Sequence, residues 1–370
     1  MSIVVLKLPD VKSETETRPN RCPSCKGETF QRWGGSVRRI RDPHVRYALV
    51  YRYRCCECGH TFRHYPKGVD QAQQSQRLRK LAALMWVLGL SYRGIEGLLE
   101  VFRIRIGRMT AWRDVQAWAE QLRQMRKWKT VRVLGLDGAY VRAWGDIRPV
   151  LVAVDLGEGQ PVEIGYVDEY KPEAVKKWLE PLVQRLGVSV IVTDDLAAYK
   201  VVAGKLDLEH QICQFHVRRW VGRTLHELKD SLPEQWQGIL QEAGQILQEL
   251  PVEGSRRLLE LWKQIDEPRS GRDQPNSPVD KLRDLLIRLS NHWENYRIFD
   301  WQPEVPWTNN TTEQVIGRMK MRSRTVRGYK TEAGMLAGLL AAPLLDLAGQ
   351  AAAQLVDPSM YIQAVLGVIP

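Results

Sequence analysis

The chain has 370 residues, 44% hydrophobic and 26% charged, with 54 Lys and Arg against 43 Asp and Glu and a formal net charge of +11. That size and balance exclude a disordered or fibrous chain and imply two to four folded units. The positive charge is concentrated: residues 1–130 carry 26 basic and 11 acidic side chains, whereas residues 131–370 carry 28 basic and 32 acidic. This asymmetry implies a polyanion-binding N-terminal third joined to a part with other work, without separating DNA from RNA or an anionic membrane. The opening MSIVVLKLPD is too short an apolar run for a secretory signal. The most apolar stretch, Met335–Val356, is broken by Pro343 and Asp346 and reads as a buried helical pair, not a membrane span. A soluble, cytoplasmic protein is expected.

Five of the six cysteines lie between Cys22 and Cys58. Cys22-Pro-Ser-Cys25 and Cys55-Cys56-Glu-Cys58 each place two thiols on one short turn, and four soft sulfurs suit a closed tetrahedral Zn²⁺ site. Gly27 and Gly59 stand where a knuckle needs a permissive backbone, and Gln31–Arg54 between the pairs reads as strands, so a zinc ribbon is expected. Disulfides or free buried thiols are the alternatives, the first disfavoured without a secretory signal. Cys56 receives no ligand role.

Three helices are expected next. Leu78, Leu81, Ala82, Leu84, Met85 and Leu88 follow helical spacing as far as Gly89, Ser91 caps a second helix over Tyr92–Val101, and a third begins at Met109. The rhythm is that of a helix-turn-helix whose last helix offers Arg108, Thr110 and Arg113 to a major groove. A three-helix linker with ordinary solvated arginines is the plainer reading.

From Val131 the period changes. Strands are expected over Val131–Asp137, Pro149–Asp155, Val162–Val167, Val188–Asp194 and His210–Phe215, with an amphipathic helix over Pro172–Leu186. The order of three strands, helix, strand, helix, strand, then helices points to a ribonuclease-H-like mixed sheet. Two strands ending on Asp137 and Asp194 can bring both carboxylates to one edge, where hard oxygen ligands suit Mg²⁺ or Mn²⁺. Glu313, in Trp307-Thr-Asn-Asn-Thr-Thr-Glu313 on a helix capped by Thr308 or Asn310, is the candidate third acid. Arg318, Lys320, Arg322, Arg324 and Arg327 follow it with no intervening acid, as a phosphate-binding stretch would. The alternative is a Glu313 that merely pairs with Arg318 or Lys320 on a solvated helix. Trp301 and Trp307, just before it, could stack on an unpaired base.

Gly135-Leu-Asp137-Gly, Thr193-Asp194 with Tyr199, Cys213-Gln-Phe-His216 and Asn309-Asn310-x-x-Glu313 with its basic run to Lys330 together resemble a DDE-type transposase of a bacterial insertion sequence. The resemblance spans about residues 20–345. It implies a multidomain α/β chain: a tail over 1–19, a zinc ribbon over 20–68 and a helix-turn-helix over 69–129. A ribonuclease-H-like core follows over 130–216, interrupted by an all-helical insertion over 217–306, and resumes over 307–350 before a tail over 351–370. It further implies that Asp137, Asp194 and Glu313 form the catalytic triad and hold two Mg²⁺ or Mn²⁺ ions, with Asp194 preferred to Asp195 for its spacing to Tyr199. Cys213 and His216, too few for a zinc site alone, are assigned to packing or substrate positioning. The implied partners are double-stranded DNA, as element ends and as target, and further copies of the chain in a homodimer or larger assembly; no membrane is involved. The alternatives are a DNA-binding regulator without catalytic activity and a metal-dependent nuclease or resolvase on the same fold.

Overall fold

In β2 (Tyr47–Cys55) the inward Tyr51, Tyr53 and Cys55 alternate with outward Arg52 and Arg54, the period-two pattern of a strand with one wet face. It lies between β1 (Phe30–Arg39) and β3 (Thr61–His64) in an antiparallel three-stranded sheet. The structure is a computed structural model and describes residues 8–15, 17–125, 130–270, 277–325 and 328–340. Residues 8–15, expected as a loose tail, are tied to this sheet. Ser13 O accepts from Leu49 N at 2.7 Å, Lys67 O accepts from Lys12 N at 3.0 Å, and Val11 is buried with Ile40, Ala48 and Val69.

Three helices follow, α1 (Gln76–Val87), α2 (Tyr92–Val101) and α3 (Arg108–Met125). Ser75 and Ser91 cap the first two by accepting from Leu78 N and Gly94 N, both at 3.0 Å. Leu78, Ala82, Ile95, Leu99, Ala111, Val115 and Ala119 are buried, each set spaced by about one helical turn. Leu88, expected in this core, is 69% exposed because α1 has ended.

A five-stranded mixed sheet forms the second half: β4 (Val133–Ala143), β5 (Asp146–Asp155), β6 (Gln160–Gly165), β7 (Val190–Thr193) and β8 (Glu209–Ile212), in the order β6-β5-β4-β7-β8. β7 runs parallel to β4 and β8, whereas β5 and β6 are antiparallel. This is the ribonuclease-H-like arrangement expected from the order of elements. One face packs on α4 (Pro172–Leu186) and α5 (Ala197–Lys205), burying Leu134, Leu136, Ile191, Val175, Leu179 and Tyr199. The other face buries Val133, Val190 and Val192 with Ile298 and Val305. Strand β4 runs on past Asp137, which therefore sits within a strand and not at its end as expected.

An all-helical segment follows: α6 (Gln214–Lys229), α7 (Glu234–Glu249), α8 (Gly254–Lys263) and α9 (Pro278–Asn291) share one core with Trp236, Trp293 and Tyr296. Two 3-10 turns, Glu294–Tyr296 and Ile298–Asp300, lead to α10 (Asn310–Thr325). The described residues divide into two compact units, one holding residues up to 125, 142–146 and 318 onward, the other 130–141 and 147–317. In this division α10 is split after Gly317, and Tyr329 and Met335 fall in the first unit. Residues 341–370, which contain most of the expected helical pair and the C-terminal tail, lie outside the described residues. No helix among the described residues is long and apolar enough to cross a membrane.

The sheet accepts α10 closely because position 135 has no side chain. A methyl there would overlap Thr312 Oγ1 and crowd Asn309 Oδ1, both in the first turn of α10 or just before it. Gly135→Ala is therefore expected to destabilise the unit by about 1–3 kcal/mol, read as a lower thermal midpoint; an unchanged midpoint would contradict this packing.

Candidate active site and metal-binding cluster

Asp137 and Asp194 each stand two residues beyond a paired position, since Gly135 on β4 is matched to Val192 on β7. Strand alternation puts both on the face that carries Val133, Val190 and Val192. The third acid arrives through Asn309. Its buried side chain donates from Nδ2 to Leu136 O at 2.8 Å and accepts from Thr312 Oγ1 at 2.6 Å, and its backbone N donates to Cys213 Sγ at 3.3 Å. Asn309, not the expected Thr308 or Asn310, is thus the residue at the head of α10. One turn on, Glu313 Oε1 lies 3.0 Å from His216 Nε2. The Cys213/His216 pair and the Asn309/Glu313 pair interlock, thiol to backbone and imidazole to carboxylate. This explains why both motifs use a spacing of about one helical turn.

A fourth acid completes the group. Glu169, in the turn between β6 and α4, accepts from Tyr199 Oη at 2.8 Å and lies against Gly138, where a side chain would overlap its carboxylate. Sequence reasoning missed Glu169; the available signal was an acidic pair, Asp168-Glu169, at the exit of the third strand.

These carboxylates feel one another. Burial, then the charges of Glu169 and Asp194 and more weakly Glu313, push Asp137 up to about 7. Burial raises Asp194 as well, against a lowering by His216. Burial raises Glu169, reinforced by Asp194 and opposed by the Tyr199 hydrogen bond. Asp194 Oδ1 is buried without a hydrogen-bond partner among the described residues. Asp195 is elsewhere: Lys200 Nζ lies 2.5 Å from Oδ1 and Arg288 Nη2 2.5 Å from Oδ2. Asp195 is thus held by two cations, whereas Asp194 is opposed in its rise only by His216 and the Leu196 backbone N–H. An acid-lined group with an orphaned oxygen fits a hard divalent cation. Even so, no three carboxylates among the described residues have oxygens within 4.8 Å of one another.

The cysteines do converge. One sulfur from each of Cys22, Cys25, Cys55 and Cys58 lies within 4.8 Å of all the others, with Cys22 and Cys58 at 3.8 Å and Cys25 and Cys55 at 3.6 Å. A tetrahedron with Zn–S of 2.3 Å has edges of about 3.8 Å, so the four sulfurs could hold zinc. The left-handed backbone of the first knuckle falls on Lys26 (φ 65°) instead of Gly27, and that of the second on Gly59 (φ 69°). Gly27 lies against the exposed carboxylate of Glu57, whose Oε1 accepts from Glu28 N at 3.0 Å. Cys56 stays outside the cluster and exposed.

The expected DNA-facing residues are scattered. Arg113 is exposed, Thr110 is partly buried, and Arg108 Nε lies 3.4 Å from Glu96. Arg318 and Lys320 are half-buried on α10; the side chains of Arg322 and Arg324, and all of Arg327, lie outside the described residues. Trp301 and Trp307 are about half exposed, and the Arg218 guanidinium sits 5.8 Å from the Trp307 ring centre.

Residues 166–337 match the transposase IS66 family. The chain is 20% identical over 292 residues to the insertion element ISM1 uncharacterized 48.3 kDa protein of Methanobrevibacter smithii, covering 77% of this chain and 71% of that protein. Among solved structures it overlaps the Drosophila P element transposase strand transfer complex at 12% identity and a TM-score of 0.27, covering 74% of this chain and 80% of that one. It also overlaps a simian T-cell lymphotropic virus intasome bound to the PP2A regulatory subunit B56 gamma, at 14% identity and a TM-score of 0.21, covering 55% and 74%. Neither overlap is close enough to transfer a role.

The folded pKa of Asp137 lies above the ordinary carboxylate range, so its ionisation opposes folding. That cost is absent below about pH 4, grows as pH rises towards 7 and is complete by about pH 8. Without divalent cations, Asp137→Asn should be about 1–3 kcal/mol more stable than the parent at pH 8 and no more stable at pH 4. Denaturant unfolding checks this, and a variant weaker than the parent at pH 8 would contradict the clustering of charge.

Proposed function

We propose that this relative of insertion-sequence transposases binds the ends of its element and catalyses DNA strand cleavage and strand transfer with divalent metal ions. The observation that carries the reading is a half-buried acidic group in which Asp137 is raised by burial and by the charges of Glu169, Asp194 and Glu313, with Asp194 Oδ1 unpartnered among the described residues. In this reading those three side chains hold Mg²⁺ or Mn²⁺. Bound there, two such ions would neutralise developing charge on the phosphate and align the attacking and leaving oxygens. The residues do the rest. Asn309 fixes the start of α10 against β4, His216 holds one oxygen of Glu313, and Tyr199 holds Glu169 beside Gly138. Arg318 and Lys320 bind the phosphate backbone, and the basic residues Arg322, Arg324 and Arg327 that follow in the sequence add to the positive charge there.

Cleavage hydrolyses a phosphodiester at the element end and frees a 3′-hydroxyl. In transfer that 3′-hydroxyl attacks a phosphodiester of the target strand, forming a new ester to its phosphate and releasing the target's own 3′-hydroxyl, with no bond to the protein. Cys22, Cys25, Cys55 and Cys58 hold a structural zinc ion, and α3 presents Arg108, Thr110 and Arg113 to the duplex as the reading helix of a helix-turn-helix. The active assembly on DNA is a homodimer or a larger oligomer.

Asp137→Ala, Asp194→Ala and Glu313→Ala should each lower cleavage and joining of an end-bearing duplex about a thousandfold, with end binding kept. Joining that survives in any of the three would contradict the triad. Glu169→Gln should weaken the Mn²⁺ dependence of cleavage several-fold without abolishing turnover. Zinc analysis should find one ion per chain, retained in Cys56→Ser and lost in Cys25→Ser; zinc retained in Cys25→Ser would remove the four-sulfur site.

A further inference from the structure

A cleft of about 800 Å³ opens between the β1–β2 turn and the link from α2 to α3. Arg39, Arg41 and Arg46 line one wall and Arg103 and Arg105 the other, and all five are exposed. Arginine does not lose its proton at accessible pH, so these charges persist. Among the described residues Arg39, Arg41, Arg46 and Arg103 have no carboxylate partner, and Arg105 has only a solvent-exposed contact to Glu100 at 3.8 Å. The other acid of the cleft, Asp42, is buried and engaged: its Oδ1 accepts from His44 N and Val45 N, and its Oδ2 accepts from Ser75 Oγ. It also faces Arg77 at 3.5 Å.

The walls are rigidly joined. Arg41 N donates to Gln73 O at 2.7 Å, and Ser75 N donates back to Arg41 O at 3.0 Å. Gln74 between them reaches from Nε2 to the buried Asp114 Oδ2 on α3 at 3.0 Å. The tip of the strand module is thus stapled to the third helix through residues 73–75. Arg103 itself is held in a left-handed backbone (φ 59°), fixed by its N donating to Glu100 O at 2.8 Å. A set of exposed cations, four of the five without a carboxylate partner among the described residues, loses mutual repulsion when a polyanion enters.

We infer that this cleft is a phosphate-backbone site for duplex DNA, shared between the strand module and the helices, so that the two act as one reading head and not as separate domains. The inference rests on the DNA-binding reading above and places a contact apart from Arg108, Thr110 and Arg113. Arg105 lies three residues before α3, so the backbone it holds flanks the groove that α3 would enter.

The test is fluorescence anisotropy of the full zinc-loaded chain with a labelled 24-base-pair random-sequence DNA duplex, across a salt series. Each neutralised phosphate contributes about 0.9 to the slope of log K against log salt. Arg39→Gln/Arg46→Gln on one wall and Arg103→Gln/Arg105→Gln on the other should each flatten the slope by about 1.8, with zinc content and thermal midpoint unchanged. Lysine at the same four positions should restore it. An unchanged slope in either glutamine pair, a lysine variant as weak as the glutamine one, or tighter binding of an RNA duplex of equal length would overturn the site. Failure of the parent chain to bind the DNA duplex at all would instead sink the DNA-binding reading itself.

Discussion

Like charges held together in a half-buried group set the terms for the catalytic half. Asp137 is raised because it is buried and because Glu169, Asp194 and Glu313 share its surroundings. Such a group does not assemble by its own attraction; it must be imposed by contacts that would be made anyway. Those contacts are on the other sides of the acids. Leu136 turns its side chain into the α4 core while its carbonyl receives Asn309, and Gly135 leaves the room that Asn309 and Thr312 fill. The strand that carries the first acid therefore also docks the helix that carries the last. Tyr199, fully buried beneath, tethers Glu169 through its hydroxyl. The repulsion is the residual left for a cation to relieve.

The N-terminal unit follows the same economy with the opposite sign. Its arginines stand out from a sheet and three helices whose cores are separate, yet Asp42, Gln74 and Asp114 run as polar staples from one to the other. Burial lifts Asp114 to about 6, opposed by the hydrogen bond from Gln74. That is the mark of an acid kept inside to hold a joint and not to offset surface charge.

Much of this was legible in the amino-acid order. The two Cys-x-x-Cys turns, the Ser91 cap of α2, and the succession of strands and helices are local patterns, and local patterns survive folding. Asp137, Asp194 and Glu313 are candidates in the sequence because each stands beside a run that resembles a transposase motif. Glu169 could not be named: its role depends on Tyr199 and Gly138, thirty-odd residues distant along the chain on different elements. Nor could the continuation of β4 beyond Asp137, because nothing in the sequence stops a strand at a polar residue whose partner strand is unknown. Of the two glycines expected to relax the knuckles, Gly59 does so, whereas the left-handed backbone of the first falls on Lys26 and not on Gly27. The arginine cleft was invisible because Arg46 and Arg103 meet only when two modules fold as one.

The most direct measurement is calorimetric titration of Mn²⁺ into the zinc-loaded full chain at pH 8, comparing the parent with Asp137→Asn, Glu313→Gln and Asp195→Asn. The account predicts that the binding heat is lost in the first two and kept in the third, whose carboxylate is already held by Lys200 and Arg288. Equal Mn²⁺ binding in all four proteins would show that the acids on this sheet face do not form an ion site.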